Sequence, residues 1–127
     1  MKPETRFPED VLTTLHKEKI LGIRAGTNSS HRVIGIWVLV VEGRVFVRSW
    51  SVSPRSWWRT FLEDPYGSMF VREKEFHIRA IQTRSERLKD LVSAAYKEKY
   101  DKPGDIQYVK DMSRKKSRDT TTELVSI

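Results

Sequence analysis

The amino-acid sequence predicts a mainly β domain built from antiparallel hairpins, with two or three helices packed outside it. Three observations carry that expectation. Runs rich in Val, Ile and aromatic residues flank the two-residue turn Glu42-Gly43, the chemistry of a tight hairpin. A second pair of runs flanks Glu73-Lys74 in the same way. Helical spacing is confined to short stretches that Pro, Asp or a Ser/Thr cap opens or closes.

Taken in order, Phe7-Pro8-Glu9-Asp10 opens a short helix with acidic residues at its positive end. Val11, Leu12 and Leu15 share one face, and the helix ends near Lys17. Residues 19–25 read as a strand closed by the turn Gly26-Thr27-Asn28-Ser29-Ser30. Residues 32–41 form the clearest strand, since Val, Ile and Trp dominate them. Residues 44–50 alternate, with Val45, Val47 and Ser49 on one face and Arg44, Phe46, Arg48 and Trp50 on the other. Ser53-Pro54 has the form of an N-cap followed by proline in the first helical position. Trp57, Trp58, Phe61 and Leu62 then recur at helical spacing until Asp64-Pro65.

Residues 67–72 and 75–82 make the second hairpin, in which Phe76, Ile78 and Ala80 oppose His77, Arg79 and Ile81. Thr83-Arg84-Ser85-Glu86 resembles a capping box ahead of an amphipathic helix that runs to about Lys99 and is stopped by Pro103-Gly104. Residues 106–112 are expected as a strand, 113–118 as a charged loop and 120–125 as a final strand.

A chain of 127 residues is long enough for one core, so residues 1–127 are read as one domain. Twenty-four Lys and Arg against 17 Asp and Glu give a net charge of +7, which favours anionic partners. The absence of cysteine excludes disulfides, thiolate metal sites and a Cys nucleophile. His16, His31 and His77 share no ligand spacing, so no metal site is expected. The stretch 1–10 is polar, and the longest apolar run, residues 33–41, is interrupted by Gly35 and too short for a bilayer. A cytoplasmic location without membrane contact is therefore expected.

Residues 35–49 together with Trp57-Trp58-Arg59, Ala95-Tyr96, Lys99-Tyr100 and residues 122–124 resemble a bacterial family labelled a domain of unknown function, number 2255. That family is similar to the FMN- and deazaflavin-binding split barrels of the pyridoxamine-phosphate-oxidase type. The resemblance implies an antiparallel split β-barrel, a homodimer and FMN or F420 as cofactor, with a chain that binds neither equally open. It assigns the cofactor phosphate to the end of one strand and the start of the next helix, here Arg48, Ser49, Arg55, Ser56 and Arg59, with Trp50 or Trp57 bordering the ring. Residues 33–41 lack the cations that the pyridoxamine-phosphate-oxidase type carries there.

The residues themselves allow the same reading and a plainer one. Arg55 and Ser56 sit where a helix start leaves amides free, and a guanidinium can grip phosphate with two parallel bonds. The same arginines could instead pair with Glu63, Asp64 or water. Trp37, Trp50, Trp57 and Trp58 could wall a planar ligand or pack in a core or dimer interface. Residues 114–118 form a basic patch, but no recognition-helix motif accompanies it and nucleic acid is not favoured. Glu63, Asp64, Glu73 and Glu75 suggest no carboxylate pair, and no catalytic residue is assigned. An oxidoreductase-like flavin binder thus stands beside a non-catalytic module for another anionic ligand and a homodimer whose hollow is filled by indoles.

Overall fold

The computed structural model describes residues 6–27 and 32–127. Among them, seven strands form one antiparallel sheet: β1 (Ile20–Ala25), β2 (Ile34–Trp37), β3 (Leu39–Val41), β4 (Arg44–Val47), β5 (Tyr66–Val71), β6 (Lys74–Gln82) and β7 (Thr122–Ser126). Their order is β2-β1-β5-β6-β7-β4-β3. The two outermost strands are neighbours in the chain, separated by Val38 alone. The first half of this run pairs with β1, Ile36 opposite Leu21, and the second half pairs with β4, Val40 opposite Val45. The bent segment therefore closes the sheet on itself, giving a nearly closed split β-barrel. Counted as one strand, it makes the barrel six-stranded.

Val38 leaves the ladder because another element satisfies its backbone. Its N–H donates to the Tyr100 hydroxyl at 3.1 Å, and its carbonyl accepts from Lys99 Nζ at 2.7 Å. A buried residue cannot abandon its strand partners unless such replacements exist. Both replacements come from the end of the long helix, which is thus part of the barrel closure.

Among the described residues five helices accompany the barrel: α1 (Glu9–Lys17), α2 (Trp57–Glu63), α3 (Glu86–Lys99), α4 (Ile106–Ser113) and α5 (Lys115–Arg118), with a 3-10 turn at Pro103–Asp105. Leu21, Ile23, Val45, Val47, Met69, Ile78 and Leu124 fill the barrel, with Leu15 of α1 and Phe61 of α2 packed on the same cluster. Phe46 and Leu39 face outward from β4 and β3 and are buried by Leu88, Val92 and Tyr96 of α3. This second layer explains why β4 is apolar on both faces.

The hairpin at Glu42-Gly43 forms as expected, with positive φ at both turn residues and Val41 opposite Arg44. The second turn falls at Arg72-Glu73, one residue earlier than expected, because Val71 pairs with Lys74. Arg72 takes the left-handed conformation there.

Other differences follow from competing local chemistry. Helix α2 starts at Trp57, not beside Pro54, because Ser56 is the cap: its Oγ accepts from the Arg59 amide. The cap of α3 is Ser85, whose Oγ accepts from the Leu88 amide. The stretch expected as a strand at 106–112 is helical. Val109 and Met112 face the α3 layer three residues apart, a spacing a strand would send to opposite faces. Part of the expected loop 113–118 is α5. Among the described residues no helix is long and apolar enough to cross a membrane.

Candidate functional site

A cavity of about 520 Å³ opens where β4 runs into α2. One wall is β2 with the start of β1, through Ile20, Ile34 and Trp37. A second is the β4–α2 segment, through Ser49, Trp50, Arg55, Ser56 and Trp57, and a third is α4, through Tyr108 and Met112. Among the described residues no Asp, Glu, His or Lys lines it.

Each aromatic side chain is held from behind. Trp57 is buried in the barrel core and meets Phe61 edge-on, ring centroids 6.0 Å apart. The Trp37 ring lies parallel to Tyr100, and the exposed Tyr108 meets it edge-on at 6.0 Å. Trp50 is 54% exposed, with Lys116 Nζ 5.0 Å from its ring centroid. The indoles of Trp37, Trp50 and Trp57 stand in the wall and leave the interior open.

Arg48 has a different task from the one its position in the sequence suggests. It is 1% exposed, and its guanidinium donates to Thr121 Oγ1, Ser93 Oγ, the Met112 carbonyl and the Lys89 carbonyl, all between 2.8 and 2.9 Å. Four donors are thus engaged by the protein, and the side chain ties β4 to β7, α3 and the end of α4. Burial pushes its pKa down to about 10. Ser49 is likewise engaged, its N–H donating to Thr120 Oγ1 and its hydroxyl to the Ser51 carbonyl.

Arg59 does not reach the cavity. Its Nε donates to the Val52 carbonyl at 2.9 Å and its guanidinium lies over Trp58, so it clamps the loop onto α2. Arg55 is exposed, lines the cavity and makes no hydrogen bond or ion pair with the described residues. Ser56, also in the wall, caps α2. The sequence-assigned group thus divides into a buried brace (Arg48, Ser49), a loop clamp (Arg59) and the groups facing the hollow (Trp50, Arg55, Ser56, Trp57).

Sequence reasoning left Trp37 open between wall and core, and it missed both α4 residues. Tyr108 and Met112 are four residues apart, a helical signal that the β-branched character of Ile106 and Val109 obscured. Elsewhere, the basic segment is largely neutralised: Lys115 pairs with Asp119 at 2.7 Å, and Arg118 with Glu86 and Asp90. Asp64 is an anchor, its carboxyl held low by the Thr27 amide and hydroxyl and the Tyr66 amide. His31 lies outside the described residues, and among those described no cluster of metal-ligating side chains occurs.

The model of the family described as "Uncharacterized protein conserved in bacteria (DUF2255)" matches residues 12–124. The chain belongs to this family. No curated protein matches this DUF2255 chain. Among solved structures it is similar to the conserved hypothetical protein Rv2991 from Mycobacterium tuberculosis, with a TM-score of 0.64 and 11% identity over 100% of this chain and 84% of that one. It is also similar to a NimC/NimA family protein from Clostridium acetobutylicum, with a TM-score of 0.61 and 13% identity over 94% of this chain and 78% of that one. At such identities the likeness is one of fold, and the DUF2255 chain shares its barrel with both.

Proposed function

We propose that the cavity binds a flavin or deazaflavin, its ring among Trp37, Trp50, Trp57 and Tyr108 and its anionic group at Arg55, in an oxidoreductase-like protein. The observation that carries this reading is the combination of an open, aromatic-walled hollow of about 520 Å³ with an unengaged arginine on its wall. That volume lies within the roughly 300–1,000 Å³ of small-molecule sites. The walls are planar and apolar, as a ring system requires, and Arg55 is able to give two parallel bonds to a phosphate or carboxylate. Arg48 and Ser49 hold the wall instead of the ligand.

When bound, a flavin would supply the electron transfer itself. The chain contributes orientation and apolar surroundings, because among the described residues no carboxylate, imidazole or ammonium lines the cavity to act as general acid or base. The same observation favours a second reading, a non-catalytic module for another anionic ring compound.

The mouth of the cavity is apolar: Ile20 is 50% and Tyr108 55% exposed, with Ile34 and Trp50 beside them. A second copy covering this rim would form a homodimer, which light scattering of the eluted protein measures. The test of the main reading is a visible spectrum of freshly purified protein, followed by titration with FMN, FAD and F420 while tryptophan fluorescence is recorded. Quenching that saturates with one of them supports it; no quenching by any of the three refutes it and leaves the second reading.

A further inference from the structure

Arg48 is a buried cation in the cavity wall with no counter-ion paired to it among the described residues. Its four partners are two hydroxyls and two carbonyls, all neutral. Of the charged groups near enough to bias it, Arg118 and Asp90 are paired with each other at 2.8 Å. Tyr96, whose ring lies 5.5 Å beneath the guanidinium, is buried, and its phenol is held neutral well beyond the ordinary range. The positive charge is therefore compensated by dipoles alone. A buried charge is screened little by salt and acts across several ångströms of protein.

We infer that Arg48 selects the charge of the ligand through its field: Arg55 touches the anionic group, whereas Arg48, a nearly buried part of the wall with its donors engaged by the protein, keeps the cavity positive. This rests on the cavity being the binding site. A guanidinium with nearly all its donors engaged thus stands in the wall of a hollow whose described lining holds no carboxylate. No neutral side chain supplies four donors to Lys89, Ser93, Met112 and Thr121, so the brace brings its charge into the wall and bears the cost of desolvating it. The inference names the ligand class as ring compounds carrying at least one negative charge.

Two pairs of probes separate contact from field. FMN and riboflavin differ by the phosphate, and 8-anilinonaphthalene-1-sulfonate and N-phenyl-1-naphthylamine differ by the sulfonate. Affinity for each is measured in the native protein, Arg55→Ala and Arg48→Gln, at low and high salt, with circular dichroism to check folding. Arg55→Ala should lower the anionic-over-neutral preference and leave a remainder of roughly tenfold, the scale of Coulomb attraction across about 12 Å at an effective dielectric of about 20. That remainder should persist at high salt and vanish in Arg48→Gln. Should Arg48→Gln fail to fold, the salt-resistant remainder in Arg55→Ala decides alone. Equal binding of charged and neutral partners by Arg55→Ala overturns the inference while the flavin reading stands. If neither flavin binds the native protein, the flavin reading falls, and the dye pair still decides the role of Arg48.

Discussion

The Trp37 indole lies face to face on the Tyr100 ring, with centroids 3.9 Å apart and planes 6° from parallel. This stack joins a wall of the cavity to the last residues of α3, and the same tyrosine completes the barrel seam. Its hydroxyl accepts from the Val38 amide at 3.1 Å and donates to the Lys19 carbonyl at 2.7 Å. Tyr100→Phe should keep the stack and leave the buried Val38 amide without a partner, an omission that costs about 1–3 kcal/mol. Urea denaturation of the variant beside the native protein measures that loss, and an unchanged midpoint would show that the seam tolerates an orphaned amide.

Lys99 gives the closure a pH dependence. Its Nζ donates to the carbonyls of Leu15 and Val38, and burial pushes its pKa down from 10.5 to about 8, with Glu18 opposing the shift weakly. Between those values the unfolded chain holds more protons than the folded one, so the folded state gains as pH rises. Stability should climb from about pH 8 toward 10, and the penalty for burying the ammonium should be fully present below the folded pKa. In Lys99→Met this rise should be flattened relative to the native protein. Thermal melts across the range compare the two slopes, and parallel curves would exclude Lys99 as the source.

Most of the barrel was legible because hairpin chemistry is local. Glu42-Gly43 and the alternation around Val45 and Val47 announce a register that the ladder obeys. The break at Val38 was not legible, since its cause lies about sixty residues away in Lys99 and Tyr100. The helix α4 escaped for a related reason: Ile106 and Val109 favour strands in isolation, and burial against α3 overrides that preference. In the candidate site, the position of Arg48 beside Ser49 and Trp50 could be read from the chain. The engagement of its donors could not, because Lys89, Ser93, Met112 and Thr121 come from three other elements or their flanks.

Gly67 marks where the barrel admits no side chain. A Cβ there would fall 2.4 Å from the Arg24 carbonyl and 3.0 Å from the Phe61 ring. The first of these is backbone in a paired strand and cannot move aside without disturbing the β1–β5 ladder. Gly67→Ala should therefore cost about 1–3 kcal/mol by overpacking. Gly104, which has nothing within 4 Å of its would-be Cβ, is the control, and Gly104→Ala should leave the melting temperature nearly unchanged. Equal melting temperatures for the two variants would mean that β1 and β5 part readily.

The start of α2 distinguishes two serines that look alike in sequence. Ser53 precedes a proline, as a cap before the first helical residue does, yet Ser56 is the residue whose Oγ accepts from the Arg59 amide. Ser56 also receives structure from Ser53 through the backbone alone, the Ser56 amide donating to the Ser53 carbonyl at 3.0 Å. Removing the Ser56 hydroxyl should therefore fray the first turn and cost about 1 kcal/mol, the usual loss for a cap. Removing that of Ser53 leaves every one of these bonds in place. Because Trp57 and Arg55 flank the cap and line the cavity, Ser56→Ala should also weaken binding of whatever ring compound the cavity takes. Ser53→Ala should leave both stability and binding close to native. Melting curves of the two alanine variants, read with tryptophan fluorescence, make the comparison; a larger loss for Ser53→Ala would place the cap where the proline suggests and move the wall of the cavity with it.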